Sequence, residues 1–178
     1  ILAAAEKALT RKEGKTNLRI VEAGTVSAGF TRKLATLAAK YGASLIVVEP
    51  RENAQRNLEI AFEEDAHVRV LKKDAFASLP AFDLVVSASD TIFTLIDEDA
   101  AIRNALRVCL QENGALVAAT NAPTVFSDFA FGLTESWFAR TQAVEFPIGK
   151  LATVTQWQKD LTDLGLRNIS VEDRELPY

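Results

Sequence analysis

The chain has 178 residues, 48% of them hydrophobic and 25% charged, with a net charge of −4 and both signs interspersed. That length suits one domain, able to bury roughly two-thirds of the surface its unfolded chain exposes, so no metal or disulfide framework is required to hold it together. The composition excludes a disordered or fibrous chain, and with no basic face to neutralise phosphates, nucleic acid is not an expected partner.

Ile1 to Arg11 carries alanine and leucine at helical spacing and runs into the polar Arg11-Lys12-Glu13-Gly14-Lys15, which predicts an entry helix with a glycine stop. Leu18-Arg19-Ile20-Val21 reads as a short strand leading into Glu22-Ala23-Gly24-Thr25. The leucines and alanines between Thr31 and Tyr41 then predict a helix, giving strand, glycine turn and helix. Leu45-Ile46-Val47-Val48 is a continuous apolar run of the kind buried on both faces of a parallel sheet, and it stops at Glu49-Pro50. Asn53 to Phe62 predicts a helix, Val68-Arg69-Val70-Leu71 a third strand, and Phe82 to Ala88 a fourth. Asp97 to Leu110 predicts a helix closed by Asn113-Gly114, and Ala115 to Ala119 a fifth strand.

Beyond residue 120 the pattern changes. Phe126, Phe129, Phe131, Trp137 and Phe138 crowd one segment, which reads as core and interdomain packing. Thr155 to Leu164 predicts a helix stopped by Gly165, and Ile169-Ser170-Val171 a last strand. Alternation of strand and helix predicts an α/β fold with a mostly parallel sheet and helices on both faces, as one domain spanning residues 1–178.

Cys109, the sole cysteine, lies in an apolar run and has no partner within the chain, so a core thiol in a reducing, cytoplasmic setting is expected. His67, the sole histidine, stands just before a strand and reads as a loop residue, and a histidine-cluster metal site is excluded. No run approaches the roughly 18 apolar residues of a membrane span, and no signal-peptide pattern opens the chain. The sequence starts at Ile1 and contains no methionine, which predicts a piece of a larger polypeptide.

Ligands of parallel sheets bind at the carboxyl ends of the strands. Four features fall there: Glu22 and Gly24 after strand one, Glu49 after strand two, Asp74 after strand three, and Ser89-Asp90 after strand four. A nucleoside cofactor needs a glycine turn that backbone can approach and an acid at the end of strand two to accept from the ribose hydroxyls, and an acid after strand three can accept from an adenine amino group. Turns favour glycine and strand ends favour acids in any case, so each feature also has a plain reading as a turn former or solvated surface acid. Gly24-Thr25-Val26-Ser27-Ala28-Gly29 departs from the dinucleotide fingerprint by placing valine at the second glycine. A β-branched residue there resists positive φ and takes up space near the ligand.

Ile20 to Gly29, Phe82 to Ser89, the segment from Phe126 to Phe138 with Asp128, Phe131-Gly132-Leu133 and Trp137, the later Gln156-Trp157, and Leu164-Gly165-Leu166 together resemble the C-methyltransferase domain of polyketide synthases over nearly the whole chain. The resemblance implies a class I methyltransferase fold of Rossmann-like type, with S-adenosylmethionine as cofactor where activity persists. It also marks departures. The family loop reads Glu-x-Gly-x-Gly-x-Gly-Gly, and here Val26 and Ala28 replace glycines. The family's Asn-x-Leu-His supplies a histidine base that removes the α-proton of a β-ketoacyl substrate, and the matching residues are Asp90-Thr91-Ile92-Phe93. The glutamate that supports that base matches Thr120. Only one helix precedes strand one where the family has a larger lid, which implies a lid either trimmed away or lost, the latter as in the truncated pseudo-methyltransferase of animal fatty acid synthase.

The expectation is a non-catalytic pseudo-methyltransferase within a polyketide or fatty acid synthase-like megasynthase. Phe93 and Thr120 stand at vestigial catalytic positions, and Glu22, Gly24, Glu49, Asp74 and Ser89 at vestigial cofactor positions. No obligatory cofactor or metal is expected. Neighbouring domains such as a ketoreductase are the expected partners, with acyl carrier protein a further one and no membrane. The alternative is an active S-adenosylmethionine-dependent C-methyltransferase acting on a carrier-bound β-ketoacyl chain. A nicotinamide-dependent reductase remnant is disfavoured, because neither Tyr41 nor Tyr178 is followed by lysine four residues on.

Overall fold

The computed structural model describes residues 1–12, 14–89, 91–111, 113–122, 126, 129–130 and 152–172. The chain divides into two compact units, Ile1–Thr120 and Asn121–Tyr178.

In the first unit the elements run α1 (Leu2–Thr10), β1 (Arg19–Ala23), α2 (Ala28–Lys40), β2 (Ser44–Val48), α3 (Glu52–Ala61), β3 (Val68–Leu71), a 3-10 turn (Lys73–Ser78), β4 (Leu84–Ser87), α4 (Thr91–Glu98), α5 (Ala100–Gln111) and β5 (Ala115–Ala118). The strands form one sheet in the order β3-β2-β1-β4-β5. Every pairing is parallel, with Ile20 opposite both Leu45 and Leu84, and Glu22 opposite both Val47 and Val86. This is the α/β fold with a parallel central sheet that the alternation predicts.

The sheet grows outward from β1 in one direction through β2 and β3, then returns to add β4 and β5 on the other side of β1. Right-handed crossovers in opposite directions place their helices on opposite faces. One face gathers Ile20, Leu45, Val47, Leu84 and Val86 against Ala5 and Leu9 of α1, Leu34 and Ala38 of α2, and Leu58 of α3. A second buried group lies outside that cluster: Phe76 of the 3-10 turn, Phe82, Ile92 and Leu95 of α4, and Ile102, Leu106 and Cys109 of α5. Cys109 is the core thiol expected, its Sγ donating to the carbonyl of Phe82. The reversal of strand order opens a crevice between the carboxyl ends of β1 and β4, which is where such sheets bind ligands.

The structure corrects three boundaries. The helix expected from Asp97 is two helices, because Asp99 Oδ1 accepts from the amides of Ala101 and Ile102 and starts α5 afresh, while the Arg103 guanidinium donates to the Ile96 carbonyl at the end of α4. Helix α2 begins three residues before Thr31, since Ser27 is its N-cap and accepts from the Phe30 amide at 3.1 Å. Ile169 to Val171, expected as a strand, is irregular among the described residues.

At the amino ends of the strands Asp83 ties the entry segment down, accepting from Lys15 Nζ and from the Arg19 amide at 3.0 Å, with Lys12 Nζ at 3.6 Å. Replacing Asp83 with alanine is expected to destabilise the domain by about 1.5–3 kcal/mol, the usual contribution of a hydrogen bond to a charged group. A urea melt reads this, and an unchanged midpoint would show that the tie contributes nothing.

In the second unit, α6 (Val154–Asp163) starts with a capping box: Thr153 Oγ1 accepts from the Gln156 amide, and Gln156 Oε1 accepts from the Thr153 amide. Trp157 on the same helix is buried. Of the aromatic segment, Phe126 and Phe129 are exposed and Phe131, Trp137 and Phe138 lie outside the described residues. No described helix is long and apolar enough to cross a membrane.

Candidate functional site at the carboxyl ends of the strands

Glu22, Ala23 and Gly24 carry β1 into the loop that leads to α2. Gly24 has φ +68°, the one left-handed residue of that loop, and donates its amide to the Val48 carbonyl at 2.8 Å. A Cβ at Gly24 would stand about 2.5 Å from the Cβ and Cγ2 of Thr91, so the space left by the missing side chain is filled from the start of α4. Ser89 Oγ lies 2.8 Å from Thr91 Oγ1, and the Ser87 hydroxyl reaches the carbonyls of Ala23 and Ser89 at 2.8 and 2.9 Å. The crevice between β1 and β4 is thus laced by the protein's own hydroxyls.

The loop amides are turned inward in the same way. The Thr25 amide donates to Glu49 Oε2 at 2.9 Å, the Ser27 amide to Thr25 Oγ1 at 3.2 Å, and the Phe30 and Thr31 amides to Ser27. Amides at the start of a helix are what a bound nucleotide normally uses. Val26 is 55% exposed and its φ is not positive, so it carries no left-handed strain, and the atoms crowding Gly24 are those of Thr91.

Glu49 ends β2 with its carboxylate fully buried. Oε1 accepts from the backbone amide of Arg51 at 3.0 Å and from its Nε at 2.7 Å; Oε2 accepts from the Thr25 amide and from Arg51 Nη2, each at 2.9 Å. The same Nη2 donates to the Thr25 carbonyl at 2.6 Å. Burial alone would raise the Glu49 pKa, but the Arg51 fork and the two backbone amides outweigh it and hold the carboxyl below its usual range. Four donors saturate a carboxylate, leaving no acceptor for ribose hydroxyls.

Glu22 is buried without such help. Oε1 accepts from the Thr31 hydroxyl at 3.1 Å, and Thr31 in turn meets the Thr25 hydroxyl at 2.9 Å, but Oε2 has no hydrogen-bond partner. Desolvation, against the hydroxyls of Thr25 and Thr31 and with some repulsion from Glu49, pushes its pKa up to about 7.

The sheet therefore brings Glu22, Gly24, Glu49 and Ser89 to one end, as the sequence reading expects. Asp74 sits exposed on the 3-10 turn after β3. Phe93 lies in the first turn of α4 and Thr120 just beyond β5, while Asp90 is outside the described residues. His67 is an exposed loop residue, and the described residues hold no group of three potential metal ligands. Sequence reasoning missed Arg51, Thr31 and Thr91. The signal for Arg51 was Glu49-Pro50-Arg51, where a proline with φ fixed near −65° turns the chain so that the next amide points back at the acid.

No family model matches the chain, and no curated protein matches it. Among solved structures it resembles the CMeT domain of the citrinin polyketide synthase, with TM-score 0.66 and 20% identity over 92% of this chain and 45% of that one. CurJ carbon methyltransferase matches with TM-score 0.68 and 15% identity over 98% and 50%. The cyclopropane synthase MmaA2 from Mycobacterium tuberculosis matches with TM-score 0.59 and 19% identity over 92% and 60%. These likenesses establish a class I methyltransferase fold, and the chain spans about half the length of the carbon methyltransferases it matches.

Proposed function

We propose that this chain is a non-catalytic methyltransferase-like domain of a polyketide or fatty acid synthase-like megasynthase, retained for its shape. The observation that carries this is the saturated Glu49 carboxylate: the acid that would hold a ribose already accepts four hydrogen bonds from within the chain. Thr91 against Gly24 supports the same reading at the neighbouring strand end. At the positions where the resemblance expects a histidine base and its glutamate stand Phe93 and Thr120, neither of which can take up a proton near neutral pH. Losing a general base alone removes a factor of about a hundred to ten thousand. Neighbouring domains, a ketoreductase among them, are the partners, and packing against them fixes their relative placement.

The test is isothermal calorimetry with S-adenosylmethionine, run beside a mass-spectrometric assay on a carrier-bound β-ketoacyl substrate. No binding tighter than about 1 mM and no methylated product are expected. Micromolar binding together with a mass gain of one methyl group would replace this reading with that of an active C-methyltransferase.

A further inference from the structure

The nucleoside corner of this sheet is not merely unused; it is occupied by part of the chain itself. Arg51 reaches from the N-cap of α3 across the end of β2, its Nε and Nη2 gripping both oxygens of Glu49 while Nη2 also donates to the Thr25 carbonyl of the glycine loop. One planar side chain thereby links the two elements that a ribose bound between them would link. We propose that Arg51 is an internal latch, closing the corner against nucleosides and holding the glycine loop in place without a ligand. This rests on the reading of the site as a non-catalytic one and names what closes it.

Several features make the latch a separable device. Arg51 lies outside the sheet core, with a side chain 61% exposed, so its removal opens no cavity among the strands. The Thr25 amide and carbonyl both depend on the pair, the first through Glu49 and the second through Arg51 directly. Without the guanidinium, Glu49 keeps only two backbone donors, one to each oxygen, and each oxygen gains room for a hydroxyl.

Hydrogen exchange by NMR on wild type, Arg51→Ala and Arg51→Lys, with and without 10 mM adenosine as about a tenfold excess over millimolar affinity, tests this. The Arg51→Lys variant keeps the charge but cannot fork, and it serves should the alanine variant fold poorly. In either variant the amides of Thr25, Ser27 and Phe30 are expected to exchange at least about tenfold faster while those of β1 and β4 are unchanged. Adenosine is expected to slow them again in the variants and to do nothing to the wild type. Equal loop exchange in wild type and variants would overturn the proposal, as would adenosine protecting the wild type equally or failing to protect the variants. Failure of the wider reading looks different, because it would appear as S-adenosylmethionine binding to the wild type with the latch present.

Discussion

Replacing Glu22 with glutamine is expected to abolish about 2–3 kcal/mol of stability change that the wild-type domain undergoes between pH 5 and pH 8. The carboxyl is fully buried, one of its oxygens has no partner, and burial raises its pKa to about 7 from a usual 4.5. A raised carboxylate pKa means that between those two values the folded state binds more protons than the unfolded one, so stability falls as pH rises through the window and levels off above it. A tenfold difference in proton affinity between the folded and unfolded states corresponds to about 1.4 kcal/mol, which sets the size of the effect. The other two perturbed acids act with the opposite sign: Glu49 and Asp83 are held below their usual values, so the stability they supply is present above about pH 4–5 and is lost only as pH falls further. The windows therefore separate, and urea midpoints at pH 5 and pH 8 for both proteins isolate Glu22. Parallel pH curves for wild type and variant would mean that the carboxylate is solvated or paired when the protein is charged, and would remove the case for a strained acid under the loop.

Glu22 also illustrates what the sequence makes legible and what it does not. Its place at the end of β1 follows from the apolar run before it, and the positions of Gly24, Glu49 and Ser89 at the same edge of the sheet follow from strand periodicity and the crossover rule alone. The class of fold comes with them. What these residues do is decided by contacts nine to 67 residues away, Thr31 on Glu22 and Thr91 on Gly24, which no local pattern specifies. A helix read as starting at Thr31 hides Ser27 as its cap and hides Thr31 as a residue one turn into the helix, facing the acid. The local pattern singles out Val26, but it gives no sign of Thr91, whose atoms fill the space beside Gly24. Arg51 is closer to legible, being two residues from the acid it neutralises, but an arginine after a strand-end acid is read as solvated unless the proline between them is taken as a turn.

The same crowding yields the second large expectation, that Gly24→Ala costs about 2–5 kcal/mol. Left-handed backbone penalises an L-residue by roughly 1–2 kcal/mol, and a methyl group pressed into Thr91 adds about 1–3 kcal/mol of overpacking. The two contributions can be separated, because only the second depends on residue 91. In a Thr91→Gly background the alanine at 24 has room and should cost the backbone strain alone, so the double-mutant cycle returns a favourable coupling of about 1–3 kcal/mol. Thr91→Ala is not an adequate partner, since the Thr91 Cβ is itself one of the crowding atoms. The cycle bears on function as well as on stability. A glycine kept so that a cofactor can approach would, when replaced, cost binding and only the roughly 1–2 kcal/mol of left-handed strain, with no coupling to residue 91. One kept because the crossover crevice is packed shut costs stability and has no binding to lose. Denaturation of the four proteins distinguishes these, and a coupling within about 0.5 kcal/mol of zero, the range in which independent sites add, would return the crevice to the status of an open ligand site.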